Sequence, residues 1–133
     1  MTKKKGTAPP RFSAAVSDFL HMMSEAQEDY TWNSGNIRRM DQLTQDYLHK
    51  LELGELDYKE RARVATALAK CRKLRRASKD TVEVLEPLMQ FLDSEKGRQM
   101  TNLMKEALGK TRRVEERMDT RVYYPRVLQE EPW

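Results

Sequence analysis

The side chains able to do chemistry are few in this chain. There are two histidines, His21 and His49, and one cysteine, Cys71. Neither histidine has a Cys or His four residues away to complete a metal pair on a helix, and the Glu25 that follows His21 by four is a common helical coincidence. Cys71 lies among Arg and Lys, which would lower its pKa if it were exposed. It also falls on an apolar repeat, and that makes it a small core residue. The five glycines are isolated, so no phosphate-cradling loop is present, and there is no Gly-x-Ser-x-Gly elbow. Glu28–Asp29 and Glu115–Glu116 are adjacent pairs that diverge on a helix, a poor arrangement for a paired acid and base. The expectation is a protein that is not an enzyme, with no metal and no cofactor.

Charge is the informative chemistry. The net charge is +4, from 25 basic and 21 acidic side chains. It is strongly segregated: residues 18–57 carry −6, residues 58–79 carry +8 and residues 80–95 carry −5. Lys70, Arg72, Lys73, Arg75, Arg76 and Lys79 have no acid among them. Arg72, Arg75, Arg76 and Lys79 follow i, i+3, i+4, i+7 spacing and share one helix face. A self-repelling patch of this kind gains from an anionic partner. Arg forks phosphate bidentately and Lys adds point charge, so the block suits a phosphate backbone. The plainer reading is a solvated face, neutralised in part if the acidic segment with Asp41, Asp46 and Glu52 packs along it.

Four helices are predicted to position these groups. The first covers about 13–29, capped by Ser13, with Val16, Phe19, Leu20 and Met23 on one face. Thr31 to Asn36 breaks the period. The second covers about 36–53, striped by Ile37, Met40, Leu43, Tyr47, Leu48 and Leu51. Gly54 ends it in a left-handed turn. Asp57 with Glu60 forms a capping box that starts the third. Its seam, Val64, Leu68, Cys71, Arg75, Ser78, Val82, Leu85, Met89 and Leu92, is a heptad repeat with a polar gap at Arg75 and Ser78. Pro87 predicts a kink or break near 83–86. After a turn at 93–97, the fourth covers about 96–120, striped by Met100, Leu103, Met104, Ala107, Thr111, Val114 and Met118. Gly109 weakens its middle.

The expected fold is all-α: a small bundle of about four helices dominated by a long antiparallel helical hairpin. The third and fourth helices are expected to pair around Ser94. Position 75 would then lie opposite about 114, and Arg112, Arg113 and Arg117 would merge with the Lys70–Lys79 block into one nucleic-acid-binding patch. Residues 1–11, with Lys3, Lys4 and Lys5, read as a flexible basic tail, 12–122 as one helical domain, and 123–133 as an extended tail. Tyr123 and Tyr124, flanked by Arg121 and Arg126, could stack on unpaired bases or fold back onto a helix. The eight methionines read as core filling.

Composition narrows the classes. Charged residues make up 35% and apolar ones 38%, more charged and less apolar than typical domains. One Ile and seven Val leave little for a buried sheet. No run is long enough to span a bilayer and no signal peptide is visible, so a cytoplasmic protein with no membrane partner is expected. One cysteine excludes an internal disulfide.

Thr44 to Leu53, followed by Tyr58-Lys59-Glu60-Arg61-Ala62 and then Arg75-Arg76, Lys79-Asp80 and Glu86-Pro87-Leu88, resembles small helical proteins of bacterial phages and mobile elements. The resemblance implies a setting in which such proteins bind nucleic acid or, as anti-CRISPR proteins do, disable a host nucleic-acid machine. Three readings follow. The first is a non-catalytic accessory protein holding DNA, RNA or a nucleoprotein complex on the basic patch. The second is an inhibitor or adaptor directed at a host protein. The third is a structural homo-oligomer, such as a homodimer, closed along the heptad seam.

Overall fold

The computed structural model describes residues 11–125 and 127. The predicted basic tail, apart from Arg11, lies outside the described residues, as do Arg126 and residues 128–133. Three α-helices account for nearly all the rest: α1 (Phe12–Leu53), α2 (Tyr58–Asp93) and α3 (Glu95–Asp119). The class is all-α, with no strand among the described residues.

The first correction is the helix count. Residues 13–29 and 36–53 are halves of one helix, and α1 runs unbroken for 42 residues, about 63 Å. The Asn33 amide donates to the Asp29 carbonyl at 2.7 Å, and Gly35 sits within the helix. Gly costs about 1 kcal/mol there, but α2 lies alongside as a continuous splint. Tertiary packing outweighs local propensity.

The dominant hairpin is α1 with α2. Tyr30 pairs with Glu86, Asn36 with Ser78, and Asp41 with Arg75. As one residue number rises the other falls, so the helices run antiparallel. The heptad seam of α2 faces α1. Val64, Cys71, Ser78, Met89 and Leu92 are buried, and Leu68, Arg75, Val82 and Leu85 are half-buried. Cys71 contacts the Met40 carbonyl at 3.1 Å and the Met40 sulfur at 3.6 Å, the core role its spacing indicates. Self-association along this seam is thereby overturned, because α1 of the same chain occupies it.

Several local expectations hold and others change. Asp57 caps α2, accepting from the Glu60 N–H at 2.8 Å. Gly54 ends α1 with φ −80° and ψ 146°, extended and not left-handed. A side chain there would approach the Lys50 carbonyl oxygen at 2.5 Å, so Gly is required for closeness. α2 continues helical through Pro87 to Asp93, so the sequence break does not occur. Pro87 is exposed and follows a turn held on α1 through Glu86.

The second correction is the partner of α3. A single residue, Ser94, joins α2 to α3, whereas a helical hairpin needs a loop of about two to five residues. The chain bends sharply without reversing alongside α2. Ser94 accepts from the Gly97 N–H at 3.0 Å and caps α3. Gly97 is buried against the last turn of α2. From this elbow α3 passes to the N-terminal third of α1. Arg112 reaches Ser17, Ser13 reaches Glu115, and Arg11 reaches Asp119. That order makes α3 antiparallel to α1.

The core is thin. Met40, Val64, Cys71, Met89, Leu92 and Leu108 are its buried apolar residues, and no described side chain is wholly buried. No described helix is long and apolar enough to cross a membrane.

Candidate nucleic-acid interface

Lys70, Arg72, Lys73, Arg76 and Lys79 occupy the middle of α2, with Lys79 half-buried and the others exposed. Arg75 is different. Its side chain lies along the seam and its Nε donates to Asp41 at 2.6 Å, while Arg72 approaches the same carboxylate at 3.8 Å. The acidic stretch of α1 therefore neutralises the block at one point only. Among the described residues Asp46 and Glu52 form no ion pair, and neither do Lys70, Lys73, Arg76 or Lys79.

The hairpin register brings in two cations that sequence reading missed. With Asn36 opposite Ser78 and Asp41 opposite Arg75, Arg38 and Arg39 stand level with about residues 76–77. Both are exposed and neither is ion-paired among the described residues. The signal was available as their adjacency on α1, but using it required pairing α1 with α2. The result is a band of eight bases (Arg38, Arg39, Lys70, Arg72, Lys73, Arg75, Arg76, Lys79) against Asp41, Asp46 and Asp80. It spans about 15 Å of helix axis.

Arg112, Arg113 and Arg117 do not join it. Arg112 donates to Ser17 at 3.4 Å. Ser17 and the band's Asp41 are 24 residues apart on one continuous helix, about 36 Å. The merged patch is thus two separate clusters. It fails because it assumed a hairpin turning at Ser94.

The acids of the same α3 segment, Glu115 and Asp119, have a structural role. Glu115 accepts from both the hydroxyl and the backbone N–H of Ser13, the latter at 3.3 Å. The carboxylate closes one free N–H group at the positive end of α1. Ser13 therefore does not cap its own helix: Arg11 is the cap residue, and Ser13 carries the tertiary contact. Arg11 donates through Nη2 to both Asp119 carboxylate oxygens, at 2.7 and 2.8 Å, which raises its own pKa. The Ser13 hydroxyl bond leads in holding the Glu115 pKa below its ordinary value of 4.5. A depressed carboxyl pKa adds stability above the unfolded value, and that stability is lost as pH falls through the folded value. Amide exchange in the last turns of α3 is accordingly expected to accelerate below about pH 4.5. Glu115→Gln is expected to show the faster exchange already at neutral pH. If the two proteins exchange alike at pH 7, Glu115 does not hold this junction.

Elsewhere the chemistry is structural. Tyr30 donates to Glu86 at 2.6 Å, a bond that raises its pKa above the ordinary 10.0. His21 pairs with Glu25 at 2.6 Å on an exposed surface. Among the described residues no group of three His, Cys, Asp or Glu is placed to hold a metal. Tyr123 and Tyr124 are 75% and 78% exposed, so they do not fold back onto a helix. No family model matches the sequence, and no curated protein or solved structure matches the chain.

Proposed function

We propose that the protein is a non-catalytic accessory factor that binds nucleic acid, or the exposed nucleic acid of a nucleoprotein complex, on the mid-hairpin basic band. The observation carrying this reading is the concentration of Arg38, Arg39, Lys70, Lys73, Arg76 and Lys79 within about 15 Å of the hairpin axis, without ion pairs among the described residues. Helix-borne cations at this density meet phosphates spaced along a duplex, and released counterions supply the affinity. Nothing in the band presents a base-reading array, so phosphate contacts dominate and sequence preference is slight. Arg112, Arg113 and Arg117 are left out of the site.

Binding to labelled duplex DNA and RNA over a salt series tests the reading. With about six phosphates engaged, affinity is expected to fall roughly 10³-fold between 50 and 200 mM salt. Changing Lys70, Lys73, Arg76 and Lys79 together to Glu is expected to abolish retention on both heparin and duplex while circular dichroism stays helical. Unaltered retention by that variant overturns the reading. A partner protein that stays bound at high salt after nuclease treatment would instead support an inhibitor or adaptor of the phage-borne kind.

A further inference from the structure

The two basic clusters, though far apart, lie on one side of the molecule. α3 rests on α1 through Ser13 and Ser17 and, further along, beside Leu20, Ser24 and Gln27. Continued by three- and four-residue steps, that stripe of α1 runs through Thr31 and Ser34 to Arg38. Arg38 therefore projects on the side where α3 lies. Arg72 approaches Asp41 at 3.8 Å, and Asp41 is three residues beyond Arg38 on α1. The α2 row of Arg72, Arg76 and Lys79 thus borders the same flank. On α3, buried Leu108 and the Ser13 partner Glu115 mark the side that meets α1. Lys110, Arg113 and Arg117 fall on the opposite side of that helix. They are exposed and without ion pairs among the described residues.

The spacing of the clusters follows from two registers. The Ser13–Glu115 and Ser17–Arg112 contacts put Lys110, Arg113 and Arg117 level with about residues 12–19 of α1. The Asn36–Ser78 and Asp41–Arg75 contacts put the Arg72–Lys79 row level with about residues 36–43, where Arg38 also stands. The centres are about 23 residues apart on one unbroken helix, or about 35 Å. One turn of B-form DNA is about 34–36 Å.

We infer that the protein lies along one face of B-form DNA and grips it at two points one helical turn apart, with the mid-hairpin band at one and Lys110, Arg113 and Arg117 at the other. This rests on the nucleic-acid reading above and adds a duplex geometry to it. On one face of a duplex each strand returns after a full turn, so a stiff rod with cations at that spacing meets phosphate at both ends. α1 is such a rod, 42 residues long and splinted by α2. Between the clusters the same face is neutral on α1, at Thr31 and Ser34, and acidic at exposed Glu83 and Glu106. Phosphate is repelled there, so contact concentrates at the ends. Each cluster keeps one acid at its edge, Asp41 for the band and Glu116 for α3, and stays net basic. α3 rides on α1 at about 9 Å between axes, so the duplex crosses the rod at a tilt of about 15°.

Duplexes with charged phosphates in two short blocks and neutral methylphosphonates elsewhere test the spacing. The blocks are set about 10 base pairs apart in one duplex and about 5 in the other. The full chain is expected to bind the first about tenfold more tightly, because only there do both clusters engage at once. Changing Lys110, Arg113 and Arg117 together to Gln is expected to erase that preference. On an ordinary duplex of about 20 base pairs the same variant is expected to show a salt slope shallower by about 3 units. Circular dichroism is expected to stay helical, since all three side chains are exposed. Equal affinity for the two spacings, or a triple variant with native affinity and slope, overturns the two-point grip and leaves the band reading standing. Absence of salt-dependent binding to any duplex overturns both.

Discussion

Gly97→Ala is expected to lower stability by about 3 kcal/mol, a drop of roughly 10 °C in Tm at this size. The sign is the diagnostic part. Intrinsic propensity favours Ala over Gly in a helix by about 1 kcal/mol, so propensity alone makes the variant more stable. At position 97 sterics oppose it. A methyl there would lie inside the van der Waals shell of the Phe91 carbonyl oxygen, 2.7 Å from the Phe91 carbonyl carbon and 3.0 Å from the Leu92 Cα. These are backbone atoms of the last turn of α2, held in place by the Ser94 N–H bonding the Gln90 and Phe91 carbonyls at 3.1 Å each. They cannot swing aside as a side chain would. The elbow must open, and α3 leaves its seat with it. Gly35 and Gly109 serve as controls, since a methyl at either meets nothing within 4 Å. Gly35→Ala and Gly109→Ala are each expected to stabilise by about 0.5–1 kcal/mol. Thermal denaturation of the three variants checks the set. A Gly97→Ala protein as stable as the other two would mean that close packing at the elbow does not position α3.

Different levels of organisation were legible in the sequence to different degrees. The seam from Val64 to Leu92 could be read because its period is long and uninterrupted, and its polar members Arg75 and Ser78 did not interrupt it. The structure gives them the partners Asp41 and Asn36. Asp57 and Glu60 marked the start of α2 through a purely local bond. The stretch Thr31 to Asn36 misled because Asn, Ser and Gly carry turn propensity, while their helix is enforced by a partner 40 to 50 residues away. Ser94 misled in another way. Its capping role was local, but the direction of the chain beyond it depended on the near absence of a loop and on the closeness permitted by Gly97. The basic block was visible as composition. That Arg38 and Arg39 stand level with it was not, because the level of charges across helices is a property of register. Arg112 to Arg117 shared the sign of the block, but α3 carries them to the far end of α1.

Asp41→Asn is expected to move stability and ligand affinity in opposite directions. Asp41 is the acid that holds both Arg75, at 2.6 Å, and Arg72, at 3.8 Å. Its side chain is 49% exposed and that of Arg75 is 23%. A pair so open to solvent contributes about 1 kcal/mol, well below the value of a desolvated one. Asn keeps the shape and loses the charge, so a loss of about that size in chemical denaturation is expected. On the outer face the same change removes the one carboxylate that occupies two arginines of the band. If Asp41 masks them, two further cations become available to phosphate. The slope of log affinity against log salt is then expected to steepen by about 1 to 2 units, with tighter duplex binding at low salt. The two measurements separate two roles for one side chain. Tighter binding with a steeper slope identifies Asp41 as a built-in competitor for phosphate, present because the hairpin needs its seam closed at Arg75. Weaker binding with an unchanged slope would sink that view. Asp41 would then act by aiming Arg72 and Arg75 at the ligand, and the band's affinity would depend on arginine geometry more than on summed charge.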